Sequence, residues 1–244
     1  MSESQLPKLW KVQAEYLRPA ELREAIANRP VVYVPLGTLE WHCEHLPVGL
    51  DALTAHGICL HAAAQDGGVV LPPLYYGTGG DHGNYPWTIM MADDREISAQ
   101  LAKTMTRLQD FGVKVAVLFS GHFAPGQLDM IERIASAWNK SGQRMRVVAK
   151  AVNSFQDLPL APDHAAIFET TLLGELWPTR VDVSRLPPLK GLPLTDDFSA
   201  ERHNPTHPLW GIFGPDPRVY NPKTGAKVLA AMVAQLISDV SAEV

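Results

Sequence analysis

The stretch Glu40-Trp41-His42-Cys43-Glu44-His45-Leu46-Pro47-Val48-Gly49-Leu50-Asp51 gathers carboxylates and imidazoles into one short segment. It follows the apolar run Val31 to Leu36, so these side chains leave the end of a predicted buried strand and can converge on a crevice. Crowded carboxylates repel one another, and a divalent cation among them cancels that charge while accepting the imidazole lone pairs. The stretch therefore reads as a metal site. A hydrolytic centre needs donors that hold the ion yet leave a position for water, whose pKa the ion lowers towards neutrality. Glu40, His42 and Asp51 supply such donors. His122, in Ser120-Gly121-His122 at the end of a second apolar run, is placed to reach them from across the crevice.

The elements that must position these residues alternate. Leu22, Ala25 and Ile26 lie on one face of a predicted helix that Pro19 opens and Pro30 stops. Val31 to Leu36 has no polar alternation, as expected of a strand covered on both faces. Ala52 to Gln65 reads as a helix ended by Asp66-Gly67-Gly68, and Val69 to Leu71 as a short strand. Leu74 to Met91 is a long irregular stretch holding Asp81-His82, a length usual for functional loops. Arg95 to Phe111 predicts an amphipathic helix, Val113 to Phe119 a central strand, Gly126 to Lys140 a helix and Met145 to Val152 another strand. A helix over Asp163 to Leu176, which Asp163 could cap, and a last one over Pro222 to Val240 flank the Pro-rich stretch Pro178 to Tyr220. Helices alternating with apolar strands predict a three-layer α/β/α domain with a mainly parallel sheet.

With 244 residues, one domain spanning the whole chain is the expectation. A net charge of -5 without a Lys/Arg run leaves no electrostatic footprint for nucleic acid. No apolar run reaches the length of a membrane span, and the N-terminus lacks the basic start and apolar core of a signal peptide, so the expected location is the cytoplasm. In that reducing compartment Cys43 and Cys59 are expected to be free thiols. Cys43 could carry a thiol whose pKa a nearby cation lowers, or could be a small half-buried residue.

The first stretch resembles the signature of the creatininase (creatinine amidohydrolase) family, roughly Gly-Ser-x-Glu-Gln-His-Gly-Pro-His-Leu-Pro-Leu-Gly-Thr-Asp. Gly37, Glu40, His42, His45, Leu46, Pro47, Gly49 and Asp51 keep their places in it. Further likenesses lie at Tyr76 to His82, at Ser120-Gly121-His122 (the family has Asn-Gly-His), at His164 to Thr171 (His-Ala-Gly-x-x-Glu-Thr-Ser) and at Gly211 to Arg218. The resemblance implies two ions, of zinc, manganese or iron, sharing Asp51 as a bridge, with Glu40 and His122 on one and His42 on the other. Some relatives carry a Glu where this chain has Ala124, which leaves Glu169 as the expected fifth ligand. His164 matches the residue that resembles the family's proton-transfer group, able to protonate a leaving nitrogen.

His82 is expected either to meet substrate or a ligand or to brace its loop. Trp87 stands where the family's pattern has Gly and is expected to contact substrate and reshape the pocket. The resemblance thus implies a metal-dependent hydrolase of a small cyclic amide, formamide or related amide, with creatinine itself disfavoured by Trp87, Ala124 and Ile167. It also implies a homo-oligomer, a hexamer or another even assembly. The competing expectation is a metal-stabilised binding or assembly protein without turnover.

Overall fold

In the computed structural model, which describes residues 9–188 and 200–244, strands β1 (Val31–Leu36), β2 (Val69–Val70), β5 (Val115–Ser120) and β6 (Arg146–Ala151) form one parallel sheet in the order β2-β1-β5-β6. Strands β3 (Gly77–Thr78) and β4 (Met90–Met91) form a separate small parallel pair. All residues of β1 and β5 are buried, because helices cover both faces of the sheet. Pro35 sits inside β1 without breaking it. Its carbonyl accepts from the Leu74 amide on the side where β2 has already ended, so the N–H it lacks on that side would have met no β2 residue.

Helices α2 (Leu50–Asp66), α5 (Ile167–Leu176) and α6 (Pro222–Ser241) cover one face, where Ile58, Phe168, Leu172 and Met232 join Tyr33, Val117 and Phe119. Helices α1 (Pro19–Asn28), α3 (Arg95–Asp110) and α4 (Pro125–Lys140) cover the other, where Leu101, Met105, Met130 and Ile131 meet Val34, Ala116 and Leu118. This is the expected three-layer α/β/α arrangement. No described helix is long and apolar enough to cross a membrane.

From β1 the chain passes through α2 to β2 on one side, whereas the next strand of the main sheet, β5, pairs on the other side of β1. The carboxyl ends of β1 and β5 therefore form a topological switch point, where side chains can gather in a crevice. Two glycines bring the start of α2 into it. A Cβ on Gly37 would lie 2.2 Å from the Ala52 amide nitrogen, and one on Gly121 would lie 1.9 Å from the Asp51 carbonyl oxygen. No side chain fits at either place, so the first turn of α2 sits directly against both strand ends.

The largest boundary difference from expectation is at the start of α5. The helix expected from Asp163 begins at Ile167, because the Asp163 carboxylate accepts from the Phe168 amide at 2.8 Å and the Glu169 amide at 3.3 Å. Asp163 thus caps the helix from outside it. Ala165 takes a left-handed φ of 53°, and His164 pairs antiparallel with Phe213. Of the Pro-rich stretch, residues 189–199 lie outside the described residues, as do residues 1–8.

Candidate metal centre

The five expected donors are delivered by four features of the fold. Glu40 and His42 follow β1, Asp51 lies in the first turn of α2, His122 follows β5, and Glu169 lies in the first turn of α5. All five are buried. His122 Nδ1 lies 3.0 Å from Glu40 Oε2 and 3.4 Å from Asp51 Oδ2. On the other side of Asp51, His42 Nε2 lies 3.3 Å from Asp51 Oδ1 and 3.5 Å from Glu169 Oε2. Among the described residues, Glu40-Asp51-His122, His42-Asp51-Glu169 and Glu40-His42-His164 each present donor atoms within 4.8 Å of one another. Asp51 belongs to the first two, which makes it the junction of two adjoining donor sets.

The unengaged faces of the two imidazoles point inward. His42 Nδ1 is 3.0 Å from the Glu40 carbonyl, so its N–H goes to backbone and Nε2 is left as a lone pair. His122 Nε2 is 3.2 Å from the Gly79 carbonyl, which leaves Nδ1 bare in the same way. Backbone acceptors of this kind fix the tautomer of a metal-binding histidine. Although the ion-pair distances are short, Glu40 Oε2, Asp51 Oδ2 and His42 Nε2 are buried without a hydrogen bond of acceptable geometry. Such atoms are costly unless something between them accepts their lone pairs. Mixed nitrogen and oxygen donors suit zinc, manganese or iron, so the residues present fit divalent ions.

The electrostatics agree. Burial opposes charge on His42, yet the Glu169 and Asp51 carboxylates push its pKa up to about 10. Burial likewise opposes charge on His122, and Asp51 and Glu40 outweigh it, raising the group well above its ordinary value. For Glu40, burial alone would raise the carboxyl, but the His122 and His82 imidazoles beside it hold it well below the usual range. Burial, with Asp51 and Asp163 nearby, pushes Glu169 well above it. The cluster thus draws in positive charge, and divalent cations supply it more fully than protons do.

A cavity of about 240 Å³ opens on these donors, lined also by Gly80, His82, Phe123, Ala124 and His164. His82 Nδ1 lies 2.6 Å from Glu40 Oε1, so this histidine meets a candidate ligand rather than bracing its loop through backbone. His164 Nε2 is 3.2 Å from the Trp41 carbonyl, and its ring lies 4.5 Å from those of His42 and His82. Burial, with the charge on His42 adding to it, lowers its pKa to about 3.

Trp87 is the expected site residue that the fold does not bring in. It is 80% exposed and does not line the cavity. A left-handed φ of 58° turns the chain there, so the indole projects into solvent instead of filling the place of a glycine. Cys43 also has a left-handed φ, 59°, where the resembling signature has Gly. It is buried in a small apolar cluster, and burial raises its thiol to about 11, the opposite of an activated thiolate.

Residues 15–240 match the family model described as creatinine amidohydrolase. The chain belongs to the creatininase family. It is 28% identical to a creatinine amidohydrolase of Pseudomonas putida over 180 residues, which is 64% of this chain and 68% of that one. It is 26% identical to a mycofactocin precursor peptide peptidase of Mycolicibacterium smegmatis over 218 residues, 84% of this chain and 81% of that protein. A crystal structure of creatinine amidohydrolase superposes with a TM-score of 0.75 at 23% identity, covering 95% of this chain and 97% of the other. Similar solved creatininases include a manganese form and a zinc-zinc form. These relatives are named as hydrolases, and they differ in substrate.

Sequence reasoning did not single out the carbonyls of Glu40, Trp41 and Gly79 or the buried amide of Gln127. Backbone acceptors leave no mark in a sequence. Gln127 did leave one, as a polar residue on the apolar face of a predicted helix.

Proposed function

We propose that this creatininase-family chain is a metal-dependent amide hydrolase, a single domain working in an even-numbered homo-oligomer. The observation that carries the reading is the shared position of Asp51 between two donor sets in which Glu40 Oε2, Asp51 Oδ2 and His42 Nε2 have no hydrogen-bond partner. Glu40, Asp51 and His122 would hold one divalent ion and His42, Asp51 and Glu169 a second. When bound, such ions supply Lewis acidity that polarises a carbonyl and acidifies water. The backbone contacts keep both histidines in the tautomer that offers a lone pair. His82 holds Glu40 from behind and presents its other edge to the cavity. His164, tied through Nε2 to the Trp41 carbonyl, keeps Nδ1 free to take a proton from the attacking water and return it to the nitrogen that leaves as the C–N bond breaks.

The substrate we infer is a small cyclic amide, formamide or related amide that fits the 240 Å³ cavity. A peptide amide is the second reading, supported by the peptide peptidase that aligns with 84% of the chain. Metal-free protein reloaded with zinc, manganese or iron, assayed against lactams, formamides, creatinine and short peptides, should hydrolyse members of one class. Asp51→Ala should abolish that turnover together with most of the bound metal. A protein holding two ions that turns over none of these amides would instead be a binding or assembly protein of the same fold.

A further inference from the structure

Helix α4 faces the sheet with Met130, Ile131, Ile134 and Ala135, and among them lies one uncharged amide, Gln127, only 1% exposed. Both ends of its side chain are engaged. Gln127 Oε1 accepts from the Thr78 amide at 3.1 Å, and Gln127 Nε2 donates to Ser120 Oγ at 3.2 Å. Ser120 Oγ in turn donates to the His122 carbonyl at 2.5 Å. Thr78 precedes Gly79, whose carbonyl accepts from His122 Nε2 at 3.2 Å. One buried carboxamide therefore reaches His122 by two routes, through Ser120 to its main chain and through the Thr78-Gly79 segment to its ring.

The spacing leaves this loop little room to move. A Cβ on Gly77 would lie 2.0 Å from Thr38 Oγ1 and 3.3 Å from Gln127 Oε1, and one on Gly79 would lie 2.8 Å from Gly126 Cα. The donors on the far side of Asp51 rest on different supports. His42 leans on the Glu40 carbonyl, and Glu169 accepts from the Ala165 amide at 2.6 Å, within a segment capped by Asp163.

We propose that Gln127 is a positioning residue that sets the orientation of His122, and hence the affinity of the Glu40-Asp51-His122 subsite for its ion, while leaving the His42-Asp51-Glu169 subsite to its own supports. The inference rests on the dinuclear reading above. Partners that orient a ligand change metal affinity by about tenfold to a hundredfold when removed. A brace that served only the fold would loosen both subsites together.

The test uses the full chain, with zinc titrated against a chromophoric chelator and the occupancy of each position read by anomalous scattering from crystals grown at limiting zinc. Gln127→Met removes both hydrogen bonds at similar volume, whereas Gln127→Glu keeps the acceptor for Thr78 and loses the donor to Ser120. Gln127→Met should weaken zinc about tenfold to a hundredfold at the Glu40-Asp51-His122 position and less than about threefold at the other. Gln127→Glu should weaken the same position by less, and it carries the test alone if the Met variant does not fold. Equal weakening of both positions, or of neither, overturns the role of Gln127. A wild-type protein that binds no zinc at these residues shows instead that the dinuclear reading has failed, before any variant is compared.

Discussion

His164 is the residue at which three roles make separate predictions. Its ring lies against His42 and His82, its Nε2 is given to the Trp41 carbonyl, and its donor atoms group with those of Glu40 and His42. If it transfers protons, His164→Ala should lower turnover by about two to four orders of magnitude with bound metal and melting temperature nearly unchanged. His164 lines the cavity, so water can enter the place its ring leaves and donate to the Trp41 carbonyl, and little stability should go with it. Loss of metal along with activity would mark a ligand, and a lower melting temperature with metal retained would mark a scaffold residue. The residues that cluster at the candidate centre, Glu40, His42, Asp51, His122 and Glu169, were legible in the sequence because their types and motif spacing mark them. The place of Trp87 was not legible, because side-chain type says nothing of φ and a left-handed turn leaves the indole exposed outside the cavity.

The elements were legible where burial dictates composition. β1 and β5 are apolar up to Ser120 at the end of β5 because helices cover both faces, and Gly67 and Gly112 stop α2 and α3 with positive φ values. The start of α5 was not legible, since Asp163 reaches the Phe168 and Glu169 amides from outside the helix and no local periodicity records that. Nor was the approach of α2 to the strand ends, which depends on contacts distant in sequence. It is testable at Gly121, where a Cβ would lie 1.9 Å from the Asp51 carbonyl oxygen. Gly121→Ala must push the first turn of α2 outward, carrying Asp51 away from Glu40 and His122. Overpacking of this kind costs about 3 kcal/mol. The melting temperature should fall by about 6–12 °C for a chain of this size, with less metal bound. An alanine variant with unchanged melting temperature and metal content would mean that the two elements are not held at that distance.

For the molecule as a whole, helix and strand alternation was enough to predict a three-layer domain with a parallel sheet, but not the strand order, which is set by pairings between distant segments. The same burial that makes the core has a cost in acid. His56 on α2 is buried with Nε2 unpartnered, and burial lowers its pKa from 6.5 to about 4. His45 and His164, lowered to about 3 chiefly by burial, act in the same direction. The unfolded chain takes up these protons near the ordinary histidine value while the folded chain refuses them, so the unfolded state binds more protons throughout that window. The contribution of His56 is therefore fully present above its unfolded pKa and is lost as the pH falls towards about 4. By linkage it removes about 2 kcal/mol between pH 7 and pH 5. Urea unfolding at both pH values, with chelator present so that metal release does not contribute, measures the total loss. His56→Leu should lose about 2 kcal/mol less than the wild type across the same interval. If the two proteins lose stability in parallel, the buried imidazole of His56 is not what weakens the fold in acid, and the loss must be assigned to the remaining titrating groups.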